Sequence, residues 1–151
     1  MKTIYLLTCI LIGLYSCSNG QAKNTDIDSP DSIVKIEMNL SAFGVESDDF
    51  PSIDVKIDFV NGTSTCVKSF YDPAHEGSTY SLTKSEMDAI LKLLKISDLE
   101  KLKKEYTTNR SDQPRSKTKI YTTKKIFTID DYGFEGEYPL QELYKIVYRI
   151  D

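Results

Sequence analysis

Residue types that do most enzyme chemistry are scarce in this chain. Its 151 residues include three cysteines and one histidine. Cys66 and His75 lie nine residues apart, and a thiol beside an imidazole is the pair that a cysteine nucleophile needs. That pair requires Cys66 to face outward. The favoured register of its strand instead buries Cys66 opposite Ile57, where a free cysteine acts as a small apolar residue, and leaves His75 in an exposed loop. The sequence therefore predicts no catalytic residue and no enzyme, and a hydrolase is the alternative.

Metal and ligand sites have equally few candidates. A zinc site needs three or four histidine and cysteine ligands, and only Cys66 and His75 are left once the N-terminal segment is set aside. Acidic residues crowd one glycine-containing loop, but their spacing matches no known calcium loop. Tyrosines near that loop could stack on a sugar, although packing is their commoner use. No cofactor or metal is predicted. The alternative ligands are calcium at Asp130, Asp131, Glu135 and Glu137, or a glycan stacked on Tyr121, Tyr132 and Tyr138.

The N-terminal residues resemble a bacterial lipoprotein signal peptide. Lys2 precedes an apolar run over 3–14 that is too short to span a bilayer of ~30 Å. The run ends at Leu14-Tyr15-Ser16-Cys17, which resembles a lipobox, with a small residue directly before the cysteine that receives the lipid. This predicts a signal peptide over 1–16, a lipidated Cys17 and a flexible tether over 17–31. An ordinary cleaved signal peptide with an incidental Cys17 is the alternative.

Charge is unevenly distributed along the mature chain. Residues 92–125 hold eleven basic and four acidic side chains, a local excess of seven positive charges. The remainder carries an excess of twelve negative charges. Such a basic segment attracts acidic proteins or anionic head groups, whereas scattered lysines only keep a protein soluble. The predicted interaction surface comprises Lys101, Lys103, Lys104, Arg110, Arg115, Lys117, Lys119, Lys124 and Lys125.

Alternation of apolar and polar residues predicts the strands that would carry these side chains. A first strand runs over Ser32–Leu40 and a second over Ile53–Phe59. Asn61-Gly62 favours a two-residue turn into a third strand over Thr63–Tyr71. A second hairpin is expected over 120–129, with its turn near Thr122 to Lys124.

Capping signals predict the helices. Thr83 and Glu86 form a capping box before an apolar stripe, and Ser97 and Glu100 form a second box that starts a short helix. Pro139 begins the last helix. The predicted order is β-β-β-α-α-β-β-α, a single α+β domain over 32–151. Its mostly antiparallel sheet has about five strands, and the helices pack on one face.

These motifs together resemble a family of small uncharacterised envelope lipoproteins and secreted domains of bacteria. The shared features are Phe43-Gly44, Pro51–Gly62, Tyr80-Ser81-Leu82 and Pro139–Ile150. The resemblance implies the α+β fold and an envelope location, and it implies no activity because the family has none established. Its members often carry a cysteine on each side of the Phe-Gly turn. This chain has Ala42 and Phe50 there, so no disulfide is implied.

The sequence therefore predicts a non-catalytic, lipid-anchored protein of the bacterial cell envelope, on the periplasmic face of a membrane or at the cell surface. The expected partners are the membrane, through the lipid on Cys17, and an acidic protein or anionic envelope component at the basic segment. Nucleic acid is not expected to meet an exported chain. The alternative is an envelope lipoprotein that binds a small ligand, calcium or a glycan.

Overall fold

The computed structural model describes residues 29–41, 45 and 49–150. The predicted signal peptide, Cys17, the tether up to residue 28 and Ala42-Phe43-Gly44 lie outside the described residues. The described elements are β1 (Ile33–Ser41), β2 (Ser52–Asp58), β3 (Thr63–Ser69), β4 (Ser78–Tyr80), α1 (Lys84–Leu93), α2 (Ile96–Leu99), β5 (Glu105–Thr107), β6 (Arg115–Thr122), β7 (Ile126–Tyr132) and α3 (Leu140–Tyr148). The fold is mixed α+β, as predicted. No helix in this part of the chain is long and apolar enough to cross a bilayer.

The strands form one sheet in the order β4-β3-β2-β1-β6-β7-β5. All neighbours are antiparallel except β5 and β7, which are parallel. The prediction of about five strands is wrong, because the described residues form seven. The additional strands β4 and β5 have three residues each, too few to show an alternating pattern. β6 also begins earlier than expected because its core-facing residues Ser116 and Thr118 are polar.

The first hairpin differs from its predicted form. Asp58 pairs with Thr63, so the loop has the four residues 59–62 rather than two. A two-residue type I′ turn needs a positive φ at both central residues, and here only Gly62 has one, at 64°. The Asp58 carboxylate stabilises the longer loop by accepting hydrogen bonds from the backbone and side-chain nitrogens of Asn61, at 2.9 and 2.6 Å. Consequently Cys66 lies opposite Val55, not Ile57, although it faces the core as predicted.

One face of the sheet and the helices enclose the core. Ile36, Met38 and Leu40 of β1 lie on that face, and the apolar residues of β2 lie opposite them. The helices cover these side chains with Met87, Ile90, Leu94, Leu140, Leu143 and Val147. Full burial of each aliphatic side chain contributes roughly 1.5–3 kcal/mol, so this packing fixes which face of every strand points outward.

Helix starts agree only in part with the capping signals. The Thr83–Glu86 capping box is confirmed, since each side chain bonds the other residue's backbone nitrogen. The second box is wrong. α2 begins after Lys95 with no side-chain cap, and its single turn already contains Ser97, which therefore cannot stand at the N-cap position. Pro139 precedes α3 as expected, at its N-cap.

Candidate functional site: the open sheet face

Helices leave the second face of the sheet uncovered, and we call the part formed by β3, β2, β1, β6 and β7 the open sheet face. Side chains alternate along a strand, so the polar half of each pattern points outward here. The register sets these residues in rows across the strands. Glu37 lies between Lys56 and Lys119, and Asn39 lies between Asp54 and Lys117. Residues more than 60 positions apart in the sequence thus become neighbours.

Carboxylates on this face already have partners. Glu37 accepts a hydrogen bond from the Tyr121 hydroxyl at 2.6 Å and pairs with the Lys35 ammonium at 2.6 Å. These bonds, with that from Lys35 first, lower the pKa of Glu37. Asp54 accepts a hydrogen bond from the Asn39 amide at 2.7 Å. The acceptors nearest the central lysines are therefore held by other donors.

Another carboxylate of the face, Asp130, is bound by one arginine. Arg115 donates from Nε at 2.6 Å and from Nη2 at 2.8 Å, a two-pronged pair across β6 and β7. This contact raises the pKa of Arg115, with the hydrogen bond to Asp130 as the main cause. Such a fork holds both groups in a fixed geometry, so Asp130 is also occupied.

Three lysines of the face lack a carboxylate partner. Lys56, Lys117 and Lys119 form no ion pair within 4.0 Å among the described residues. They line a shallow groove of about 570 Å³ together with Thr65 and Val67, and Val67 is 43% exposed. The groove therefore presents ammonium donors beside a small apolar surface, an arrangement suited to acidic side chains on a protein.

The structure separates the nine predicted basic residues into groups. Arg115, Lys117 and Lys119 follow one another on the outward side of β6. A second group surrounds the edge of the sheet between α2 and β7, and it is partly neutralised. Lys101 pairs with Asp98 at 2.9 Å, Lys103 with Glu137 at 3.7 Å, and Lys125 with Glu100. Lys104 and Lys124 are exposed at the same edge, and Arg110 is exposed in the loop before β6.

Sequence reasoning missed the contribution of the first hairpin to the face. Lys56 lies outside the basic segment, yet the register brings it beside Glu37 and Lys119. The alternation of β2 already indicates that Lys56 points away from the core, but it does not indicate which strand lies beside it. Strand order, which places β1 between β2 and β6, supplies the missing information.

Cys66 and His75 are not brought together. Cys66 is buried among the core residues beneath the helices, and burial raises the pKa of its thiol. His75 is exposed in the loop after β3, with its ring centroid 5.3 Å from that of Phe70. A protonated, enclosed thiol is a poor nucleophile.

Three of the four acidic residues of the calcium alternative are held by different partners. Asp130 bonds Arg115, and Glu137 pairs with Lys103. Asp131 is fully buried and accepts hydrogen bonds from the backbone nitrogens of Glu135 and Gly136, at 2.9 and 3.0 Å. Burial is the largest cause of the raised pKa of Asp131. Among the residues that the structure describes, no three histidine, cysteine or acidic side chains are grouped to hold a metal ion.

Asp131 belongs to a buried polar layer that the sequence did not reveal. Its neighbour across the strands, Ser116, is fully buried and lies 2.7 Å from the Tyr148 hydroxyl. The Tyr144 and Tyr148 rings stack with centroids 5.5 Å apart. These contacts fix α3 against β6 and β7, so the layer determines how the helix lies over the sheet.

One protein family matches this chain. The family described as Domain of unknown function (DUF6438) matches residues 48–151. The chain belongs to this family. No curated protein and no solved structure shows significant similarity to it. The family match begins after β1, although β1 is the strand that joins β2 to β6. In this chain the DUF6438 region therefore needs a preceding strand to complete its sheet.

Proposed function

We propose that the protein is a lipid-anchored, non-catalytic protein of the bacterial cell envelope whose open sheet face binds an acidic region of a protein partner. The observation that carries the proposal is the group of Lys56, Lys117 and Lys119, which face outward while the neighbouring carboxylates are held by other donors. The anchor rests on the lipobox-like residues that end at Cys17. Resemblance to envelope lipoproteins supports the location.

Electrostatics favour an acidic partner over a neutral one. An incoming carboxylate meets ammonium groups that need not first give up an ion pair. Each pair at such an exposed site contributes roughly 0.2–1 kcal/mol, so three pairs alone give weak binding. The larger effect is on encounter, because complementary charges raise the association rate and make it sensitive to salt. The apolar part of the groove at Val67 would add contact area.

The rigidity of the face supports a binding role. Lys56 stands on β2 and Lys117 and Lys119 on β6, on either side of β1, and these three strands are paired along both edges. The bonds from Tyr121 and Asn39 hold the neighbouring carboxylates. Little conformational entropy of the backbone is lost when a partner docks on such a surface. The absence of a catalytic role is proposed because Cys66 is enclosed in the core while His75 is exposed in a loop.

The test is crosslinking of the tagged, anchored protein in cells with a lysine-reactive reagent, followed by mass spectrometry. We expect one stoichiometric protein partner joined through Lys117 or Lys119 in the natural chain. The double variant Lys117→Glu/Lys119→Glu lacks those reactive amines, so its binding is measured by copurification without a crosslinker, and the partner should be lost. The matched control is Lys84→Glu/Lys145→Glu, which reverses two exposed helix lysines and should keep the partner. Equal capture by both variants, or equal loss, would contradict the proposed face.

The anchor is tested separately by Cys17→Ala. The variant should move from the membrane to the supernatant fraction because no lipid can be attached. Retention of the variant on membranes would show that Cys17 is not the anchor. A loss of anchoring with an intact partner would leave the binding proposal standing.

A further inference from the structure

The first strand, β1, lies in the middle of the sheet, and its first residues lie between two turns. β1 lies between β2 and β6, and its first residues pair with the last residues of both neighbours, Lys35 with Asp58 and Ile33 with Thr122. The loop 59–62 and the turn 123–125 therefore flank the start of β1. We call this the tether end of the sheet.

Hydrogen bonds fix the chain at this end before β1 begins. The Ser32 carbonyl accepts a bond from the Thr123 backbone nitrogen at 2.9 Å. The Asp31 carboxylate accepts bonds from the Thr123 hydroxyl at 3.0 Å and from the Lys124 backbone nitrogen at 3.2 Å. The last residue of the predicted tether is thus attached to the turn, so the fold fixes Asp31 at this end of the sheet.

Exposed apolar residues stand on both sides of this point. Val60 is 75% exposed on the loop between β2 and β3, and Ile126 is 58% exposed at the start of β7. Lys124 and Lys125 directly precede Ile126 and are exposed, although the Lys125 ammonium also pairs with Glu100. Apolar side chains at the tips of turns, with lysines beside them, suit the boundary between head groups and acyl chains.

We infer that the tether end rests on the surface of a bilayer, with Val60 and Ile126 at the head-group level. The inference rests on the proposed lipid anchor. Thirteen residues lie between Cys17 and Asp31, and a flexible chain of that length has an average reach of about 20 Å, shorter than the roughly 35 Å diameter of a 120-residue domain. The strands then rise from the membrane, and the open sheet face points sideways.

The test compares the two ends of β3 in the full, lipidated protein. Val60→Cys and Tyr71→Cys each place one fluorescent label on an exposed position, since Tyr71 is 97% exposed beyond the opposite end of the strand. The buried Cys66 should not react. In vesicles of phosphatidylethanolamine and phosphatidylglycerol that carry a head-group quencher, we expect at least a threefold stronger quenching at position 60 than at position 71. Ile126→Cys, as a second near position, should follow position 60.

Two outcomes separate this inference from the proposed anchor. Protein retained on vesicles with quenching equal at both ends, or stronger at position 71, overturns the orientation and leaves the anchor intact. Protein that vesicles do not retain overturns the anchor, and the orientation falls with it. Quenching at position 60 that disappears when Ile126 is replaced by Asp in the anchored, labelled Val60→Cys protein would show that the Ile126 side chain keeps this end of the sheet on the bilayer.

Discussion

Gly136 is predicted to be more sensitive to a methyl group than the turn glycine Gly62. A Cβ at Gly136 would lie 2.6 Å from Oδ2 of Asp131 and 3.0 Å from Cδ1 of Leu140. The backbone N–H of Gly136 also donates a hydrogen bond to the Asp131 carboxylate. At Gly62 the added carbon meets nothing within 4 Å, and only the positive φ of 64° opposes it. The two sites therefore separate a packing penalty from a backbone penalty.

The structure gives a magnitude for each substitution. Gly62→Ala should cost roughly 1 kcal/mol of unfolding free energy, the strain of a left-handed residue with a side chain. Gly136→Ala should cost about 3 kcal/mol, combining an overpacking term of roughly 1–3 kcal/mol with a weakened bond to a carboxylate, worth roughly 1.5–3 kcal/mol when intact. Urea unfolding followed by circular dichroism measures both values.

A double variant identifies the clash. Asp131→Ala alone leaves the backbone donors of Glu135 and Gly136 without acceptors and should cost about 3 kcal/mol, at roughly 1–3 kcal/mol per buried donor. It also empties the space that the new methyl group needs. Gly136→Ala should then cost only about 1 kcal/mol in the Asp131→Ala background, a coupling of about 2 kcal/mol. Additive costs, or a smaller cost for Gly136→Ala than for Gly62→Ala, would refute the proposed contact.

Three further predictions concern Asp131, the strand β1 and Cys66. The free energy of unfolding of the natural chain should exceed that of Asp131→Ala by a margin that grows as pH falls from 7 toward 4, because the raised pKa of Asp131 means that the folded state binds its proton more tightly than the unfolded state. Urea unfolding of both proteins at several pH values measures this margin, and a margin that grows at high pH would contradict the prediction. A chain shortened to 48–151 should fail to fold, since it loses three buried side chains of β1 whose burial contributes roughly 5–9 kcal/mol. Circular dichroism should show secondary structure in a 29–151 control and its loss in the 48–151 chain, and equal spectra would contradict the prediction. Cys66 should stay unlabelled by a thiol reagent in the native protein and react fully in urea, and rapid native labelling would show an accessible thiol.

Local patterns were enough to find the longer elements. The alternation in β1 and β2, the capping box at Thr83 and the proline before α3 all specify structure within a few residues, so they can be seen without the partner segments. The failures have equally local causes. A three-residue strand carries no period, and the polar side chains of Ser116 and Thr118 conceal the inward face of β6. In the first hairpin, Asp58 stabilises a longer loop than Asn61-Gly62 favours by itself.

The candidate site depended on pairing between distant segments. A basic stretch over 92–125 predicts one charged surface, but folding pairs Lys103 with Glu137 and Lys125 with Glu100. Strand order then adds Lys56 from outside the stretch. Net charge along a sequence therefore shows where cations are abundant, and it does not show which of them face an acid in the folded chain.

The sequence by itself determined the α+β class, the strands with a full alternating pattern and the first helix cap, because each depends on neighbours within one turn or one strand. Tertiary structure decided the rest. It placed β1 between β2 and β6, left Lys56, Lys117 and Lys119 without an ion pair on the open sheet face, and set the start of β1 between two turns. These features arise from contacts between residues far apart in the chain, and such contacts stabilise the protein only when the whole sheet has formed.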